Sequence, residues 1–229
     1  MKTKAVVVAF LLVFVAAPAV AQWGAQGTNP GLRGEFTPVL GAWAEYRIQG
    51  KGTPASTMKI AIVGKEGSAY WYETVTKTGG DSTVMKMLVS GDPNDQRAVK
   101  RMIVKHGTEQ ALEMPVTGQD QRPSPGLDDR GKTVDKGMET VRVPAGTFKA
   151  RHVQYIHEKD TVDSWASEKV PPYNLVKSSA KDFEMVLTGY GMGAKTSITE
   201  TPKPFQMPRM PSGMPKGMVP PGMKIPAGQ

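Results

Sequence analysis

Several stretches of the chain alternate apolar and polar positions with a period of two. "STMKIAIVG" sets Met58, Ile60 and Ile62 against Lys59, Ala61 and Val63. "TVMKMLVS" sets Met85, Met87 and Val89 against Lys86. "METVRVP" places Val141 and Val143 opposite Arg142, and "KDFEMVLTG" places Phe183, Met185 and Leu187 opposite Asp182 and Glu184. A two-residue period with one apolar side predicts strands of an antiparallel sheet, buried on one face and wet on the other. "YETVTKTGGDSTVMKM" reads as a hairpin about Gly79-Gly80, where glycine supplies positive φ without steric cost. "QDQRPSPGLDDRGK" is the longest polar loop. One segment fits two elements. "DPNDQRAVKRMIVKHG" has a helix start, with Asp92 or Asp95 as cap and Pro93 in the first turn. "RMIVKHGTEQALEMPV" reads equally as a hairpin turned at His106-Gly107, and period alone does not separate the two.

The stretch "VPAGTFKARHVQYIHEK" joins two such strands. Pro144 ends the first and Gly146 permits the turn into the second, which makes "VPAGTF" the corner of a β-meander. In the second strand His152, Gln154 and Ile156 share one side, and Arg151, Val153, Tyr155 and His157 share the other. The two histidines are five apart, so they point to opposite faces and cannot jointly grip a metal from this strand. They read as partly exposed sheet histidines. The third histidine is His106, and the chain has no cysteine to join any of them.

The two ends differ from this body. Lys2 and Lys4 precede the apolar run "AVVVAFLLVFVAA", and Ala19-Val20-Ala21 fits a cleavage site. A dozen apolar residues suit a signal-peptide core and fall short of the roughly 20 that span a bilayer. The expected order is a signal peptide over 1–21, a flexible leader over 22–35, an antiparallel β domain over 36–200, and a tail over 201–229. Gln22 stands where a lipoprotein would carry its lipidated cysteine, so the exported chain is expected to be soluble, periplasmic or secreted. Zero cysteines exclude disulfides and thiolate metal or redox sites. The tail is dominated by Pro, Gly and Met and has no helix or strand period, which predicts disorder.

Charge changes the picture little. The chain carries +8, of which the signal peptide holds +2 and residues 201–229 hold +4, leaving about +2 on the body. With no basic stripe and no nucleic-acid motif, nucleic acid is not an expected partner. The basic tail could be drawn to anionic envelope surfaces. Its Met207, Met210, Met214, Met218 and Met223 supply soft thioethers of the kind that hold Cu(I), but four cationic side chains oppose a metal there.

Catalytic motifs lack their context. Ser56-Thr57-Met58-Lys59 matches S-x-x-K and Lys77-Thr78-Gly79 matches K-T-G. The first must open a helix, so that Lys lies one turn from Ser, but here it enters an alternating strand. Asp128 and Asp129 sit in the polar loop, where solvated turn carboxylates are the rule.

The signal peptide, the meander, "VRVPAGTFKARHV" and "DSWASEKVPPYNLVK" together resemble exported bacterial β-rich proteins similar to the lipoprotein-carrier (LolA/LolB-type) half-barrel superfamily. The resemblance is carried best by residues 138–200, with Trp165 leading to a V-P corner at Pro171 and Leu175-Val176-Lys177 beyond. It implies a mainly β fold, a curved antiparallel half-barrel with at most one or two short helices, one of them able to close over an apolar cavity. In the carriers such a cavity holds acyl chains.

The expected function is that of an exported, non-enzymatic protein with no cofactor and no resident metal, binding an apolar ligand (a lipid or acyl chain) or an envelope partner. The ligand-binding candidates are Met58, Ile60, Ile62, Met85, Met87, Phe183, Met185 and Leu187. Methionine is pliable and accommodates guests of varied shape. The same stripe would equally make a filled core, leaving a structural or interaction module. Cu(I) handling by the tail is the alternative from another class. Oligomeric state is left open.

Overall fold

The computed structural model describes residues 35–116 and 131–206. The signal peptide, most of the leader, the core of the polar loop with Asp128 and Asp129, and the five tail methionines lie outside the described residues. The described chain forms one curved sheet. Its strands are β1 (Trp43–Gly50), β2 (Ser56–Glu66), β3 (Ala69–Thr78), β4 (Asp81–Val89), β5 (Val99–His106), β6 (Leu112–Met114), β7 (Lys132–Val143), β8 (Gly146–His157), β9 (Asp160–Ala166), β10 (Leu175–Ala180), β11 (Phe183–Gly191) and β12 (Lys203–Pro204). The order across the sheet is β12-β6-β5-β4-β3-β2-β1-β11-β10-β9-β8-β7. Two meanders, β1 to β6 and β7 to β11, are therefore fused by the antiparallel pairing of β1 with β11. Among the described residues, only the short β12–β6 pairing is parallel.

The turns follow from local chemistry. Gly79 and Gly80 sit at φ 58° and 96° between β3 and β4, a turn conformation that β-carbons resist. Pro144-Ala145 closes the β7–β8 hairpin, with Val143 opposite Gly146. The ambiguous segment contains parts of both readings. Asp95 caps a single 3-10 turn, Gln96–Ala98, accepting the Arg97 N–H, and β5 then runs to a hairpin at Gly107. Helix among the described residues is confined to that turn. Among the described residues, no helix closes over the apolar face. Its end is covered by the 167–174 loop and by Phe36, whose ring lies 5.3 Å from Tyr173 and 6.1 Å from Tyr72. Val170 and Tyr173 join the main core from that loop.

The outer face is not uniformly wet, as the alternation had suggested. Residues 192–206 cross it as a strap from β11 to β6. Ile198 packs with Val84, Ile103 and Ala111 in a second, smaller core, with Trp71 and Val75 against it. Glu73, almost fully buried on β3, anchors the strap. It accepts the Thr196 hydroxyl at 2.6 Å and the Ser197 N–H at 2.9 Å. Lys105 Nζ meets Glu200 at 2.6 Å, and β12 then pairs with β6 inside the segment expected to be tail. A buried carboxylate is tolerated here because each oxygen has a donor.

Replacing Glu73 with Leu leaves the Ser197 N–H and the Thr196 hydroxyl without their acceptor. The expected cost is about 1–3 kcal/mol in a urea melt. Cleavage by a protease within 192–202 should accelerate. Thr196→Val removes the donor to Glu73 and the acceptor of the Ile198 N–H but leaves the Ser197 bond to Glu73, and should cost about 1 kcal/mol.

Candidate functional site

Residues paired directly across antiparallel strands share a face, so the register fixes the layout of the apolar side. One row runs Ile62, Tyr72, Met87, Met102, Met114 from β2 to β6. The next runs Ala44, Ile60, Thr74, Met85, Val104, Leu112. A third runs Leu187, Tyr46, Met58, Thr76 from β11 to β3. Met185 pairs with Ile48 in a fourth, and Phe183 with Gly50 at the end of β11. All eight candidate residues thus lie on one face and in one cluster.

The cluster is sealed at its centre. Ile60, Ile62, Tyr46 and Leu187 have no exposed surface, Met185 has 2% and Met87 has 5%. A side chain with no accessible surface borders no space that could hold even one water, so the centre is a filled core. The Tyr46 hydroxyl is satisfied there by the Leu175 carbonyl at 3.0 Å, and burial, with the Tyr72 phenol beside it, pushes its pKa far above the ordinary tyrosine value. Met58, Met85 and Phe183 differ, being only half-buried at the margin of the same cluster. Met102 and Met114 extend that margin toward β6. They were missed because their segment read equally as helix. Once β5 is a strand, the alternation of Met102 and Val104 with Arg101 and Ile103 displays them.

Two depressions of about 370 Å³ each lie at opposite ends of the strands. One is lined by Phe36, Pro38, Tyr70, Ser90 and Asp92. The other is lined by Gly50, Lys51, Lys181, Asp182 and Phe183. Of the eight candidates, only Phe183 touches either.

The S-x-x-K pair is pulled apart. Ser56 is buried on β2 on the Met58 side, while Lys59, an odd number of residues away, lies on the other side with Nζ 4.6 Å from the Trp43 ring. Lys77-Thr78-Gly79 runs into the β3–β4 turn. No Ser–Lys dyad forms.

β8 is a strand over its whole expected length, and His152 and His157 take opposite faces. His152 is a partly exposed sheet histidine, as expected, but its ring is engaged on both sides. Its side chain is 12% exposed and bonded at both nitrogens, Nδ1 to Glu139 Oε1 at 2.8 Å and Nε2 to Asp163 Oδ1 at 2.7 Å. Trp165 stacks on the ring at 4.4 Å and donates its indole N–H to Glu139 at 2.9 Å. The register could have found this group. The two-residue corner at Pro144-Ala145 and the β8–β9 hairpin put residues 137 and 165 beside His152 and 139 and 163 on its diagonals. With both nitrogens engaged by carboxylates, His152 has none left for a metal. Among the described residues, no group of three or more His, Asp or Glu side chains is disposed to hold one.

The fold defines the class: a mainly β protein on a single open, curved antiparallel sheet. No protein-family model matches the chain, and no curated protein matches it. Among solved structures, the chain is similar to a "putative exported protein with YmcC-like fold" from Bacteroides fragilis, at 12% identity and a TM-score of 0.32, covering 69% of this chain and 99% of that one. It is similar also to a "putative lipoprotein" from Parabacteroides distasonis, at 12% identity and a TM-score of 0.28, over the same shares of the two chains.

The gradient from sealed centre to open margin sets an expectation for two neighbouring methionines. Met87→Lys buries an unpaired ammonium and should cost about 3 kcal/mol or more in a denaturant melt. Met85→Lys can lead its ammonium to water along the stem, and its cost should stay near 1 kcal/mol.

Proposed function

We propose that this is an exported, non-enzymatic binding protein of the cell envelope that holds an apolar ligand, a lipid or acyl chain, along the open margin of its methionine rows. The observation that supports this reading is the burial gradient. The same face that is sealed at Ile60, Ile62 and Leu187 is half-open at Met58, Met85, Met102 and Met114. Unbranched thioether side chains are the ones that remould around an acyl chain at small cost. The sealed centre serves as the floor and the margin as the contact, which differs from the deep half-barrel cavity that the lipoprotein-carrier likeness implies. Export rests on the N-terminal sequence. The basic tail would hold the protein near anionic surfaces, where such ligands reside.

The test is uptake of a fluorescent fatty acid by the full mature chain. Wild type should bind, and a Met102→Lys, Met114→Lys double variant should lose uptake severalfold while still melting cooperatively, at a cost of about 1 kcal/mol per half-buried methionine. Absence of uptake by a folded wild type would overturn the proposal and leave the filled sheet as a structural or interaction module.

A further inference from the structure

The Glu139, His152, Asp163 and Trp165 group belongs to a longer ladder that ties the outermost strand to the sheet. On one face, Glu139 of β7 and Asp163 of β9 clasp His152 of β8 from both sides. Trp165 of β9 returns a bond to Glu139 and lies under Lys177 of β10, whose Nζ is 5.5 Å from the ring. Lys177 continues to Glu184 of β11 at 2.9 Å. Gln154 of β8 adds a donor to Asp163 at 3.0 Å. Five strands are thereby linked by one chain of charged and aromatic groups.

β7 lies at the open end of this chain, where the Asp135–Arg151 pair also ties it to β8. It is a sheet edge, paired only with β8, and most of its residues are exposed, its core contacts being confined to Val141 and Val143 near its end. A bulge between Asp135 and Gly137 weakens its pairing midway, beside His152. Glu139 is the residue through which β7 reaches β9.

We propose that His152 is a proton-dependent latch that holds the edge strand β7 against β8 and β9 when charged and loosens it when neutral. The geometry requires two donors. Each imidazole nitrogen faces a carboxylate oxygen at hydrogen-bond distance, and only the imidazolium donates from both. A neutral ring turns one lone pair toward a carboxylate, and that contact becomes repulsive. The groups facing His152 are Glu139 from β7, Asp163 from β9, and, at the next remove, Lys177 from β10 and Glu184 from β11. Lys136 lies near enough to Glu139 to favour its charged form. Burial opposes the charge on His152, but the bonds to Glu139 and Asp163 outweigh it, so the imidazole titrates above its ordinary value. Glu139 is held below the ordinary glutamate range by its bonds from Trp165 and His152. A folded-state pKa above the unfolded one means that the latch contributes fully below the ordinary histidine pKa of about 6.5. The contribution is lost as pH rises through the folded value.

Hydrogen exchange of the mature chain, read by mass spectrometry from about pH 6 to about pH 9 and corrected for intrinsic rates, tests this. Protection of residues 132–143 should fall severalfold with rising pH while that of β2 holds. His152→Gln, which cannot carry the charge, should abolish the step. His157→Gln, on the opposite face of β8, should retain it. A step that persists in His152→Gln, or β7 protection that follows β2 at every pH, overturns the latch. So does loss of the step in His157→Gln.

Discussion

The pairing of β1 with β11 is the constraint on which the rest of the sheet depends. Every other antiparallel neighbour in the order is also a neighbour in sequence, so each meander can assemble through local hairpins. The β1–β11 seam alone joins strands more than a hundred residues apart, and its closure carries the largest loop entropy. Specific contacts hold it. Tyr46 lies between Met58 and Leu187 and bonds the Leu175 carbonyl. The bulge between Glu45 and Tyr46 is stitched by the Thr188 hydroxyl donating to the Glu45 carbonyl at 3.0 Å. Trp43 lies flat on β11, and a β-carbon at Gly189 or Gly191 would come within 3.2–3.3 Å of its ring. The glycines are what allow that contact.

With the seam closed, the two halves bury different sides. The apolar face of β1 to β4 and β11 takes the 167–174 loop and Phe36, while its reverse takes the strap bound by Glu73. In the other half, pairing puts His152, Trp165, Lys177 and Val186 on one face, opposite Met185 and Leu187. Phe148 and Ala150, on the His152 side of β8, are buried together with Val143, and the corner at Ala145 donates its N–H to Leu187 at 3.2 Å. The β7–β8 tip thus folds back across the sheet to β11. The ladder through His152 lies beyond that buried patch, where the face opens to water and polar groups replace apolar ones.

Much of this was legible in the sequence because it is local. Gly79-Gly80 and "VPAGTF" specify their turns, and the alternation of Met58, Ile60, Ile62, Met85, Met87, Phe183, Met185 and Leu187 specifies one face. The strap was not legible. Thr196, Ser197 and Ile198 carry no period, and the partner that explains them, Glu73, reads as an ordinary outward carboxylate until 123 residues of separation are closed. Val75, Val84 and Ile103 on the nominally wet face were the available sign that something covers it. The His152 group was recoverable from hairpin arithmetic, but only by pairing three strands at once. Whether the apolar stripe was core or site could not be read at all, since that depends on what packs above Ile60 and Leu187. The covering groups come from a loop with no periodicity.

The edges of the sheet have their own constraint. An open sheet exposes unpaired backbone that invites a further strand, and both ends of this one are arranged against it. At one end β6 is three residues long, and β12 occupies its free side with only two. Pro204 sits in β12 where no N–H is needed, since Lys203 and Phe205 on either side donate to Ala111 and Glu113 at 2.9 Å. At the other end β7 carries Lys132, Lys136 and Arg142 and is broken by the Asp135–Gly137 bulge, with Gly137 at φ 88°. A partner that added a strand would meet a proline on one side and a kinked, charged strand on the other. Among the described residues, Met58, Met85, Met102 and Met114 are the members of the methionine rows left half-buried, while Ile60, Ile62 and Leu187 between them are sealed.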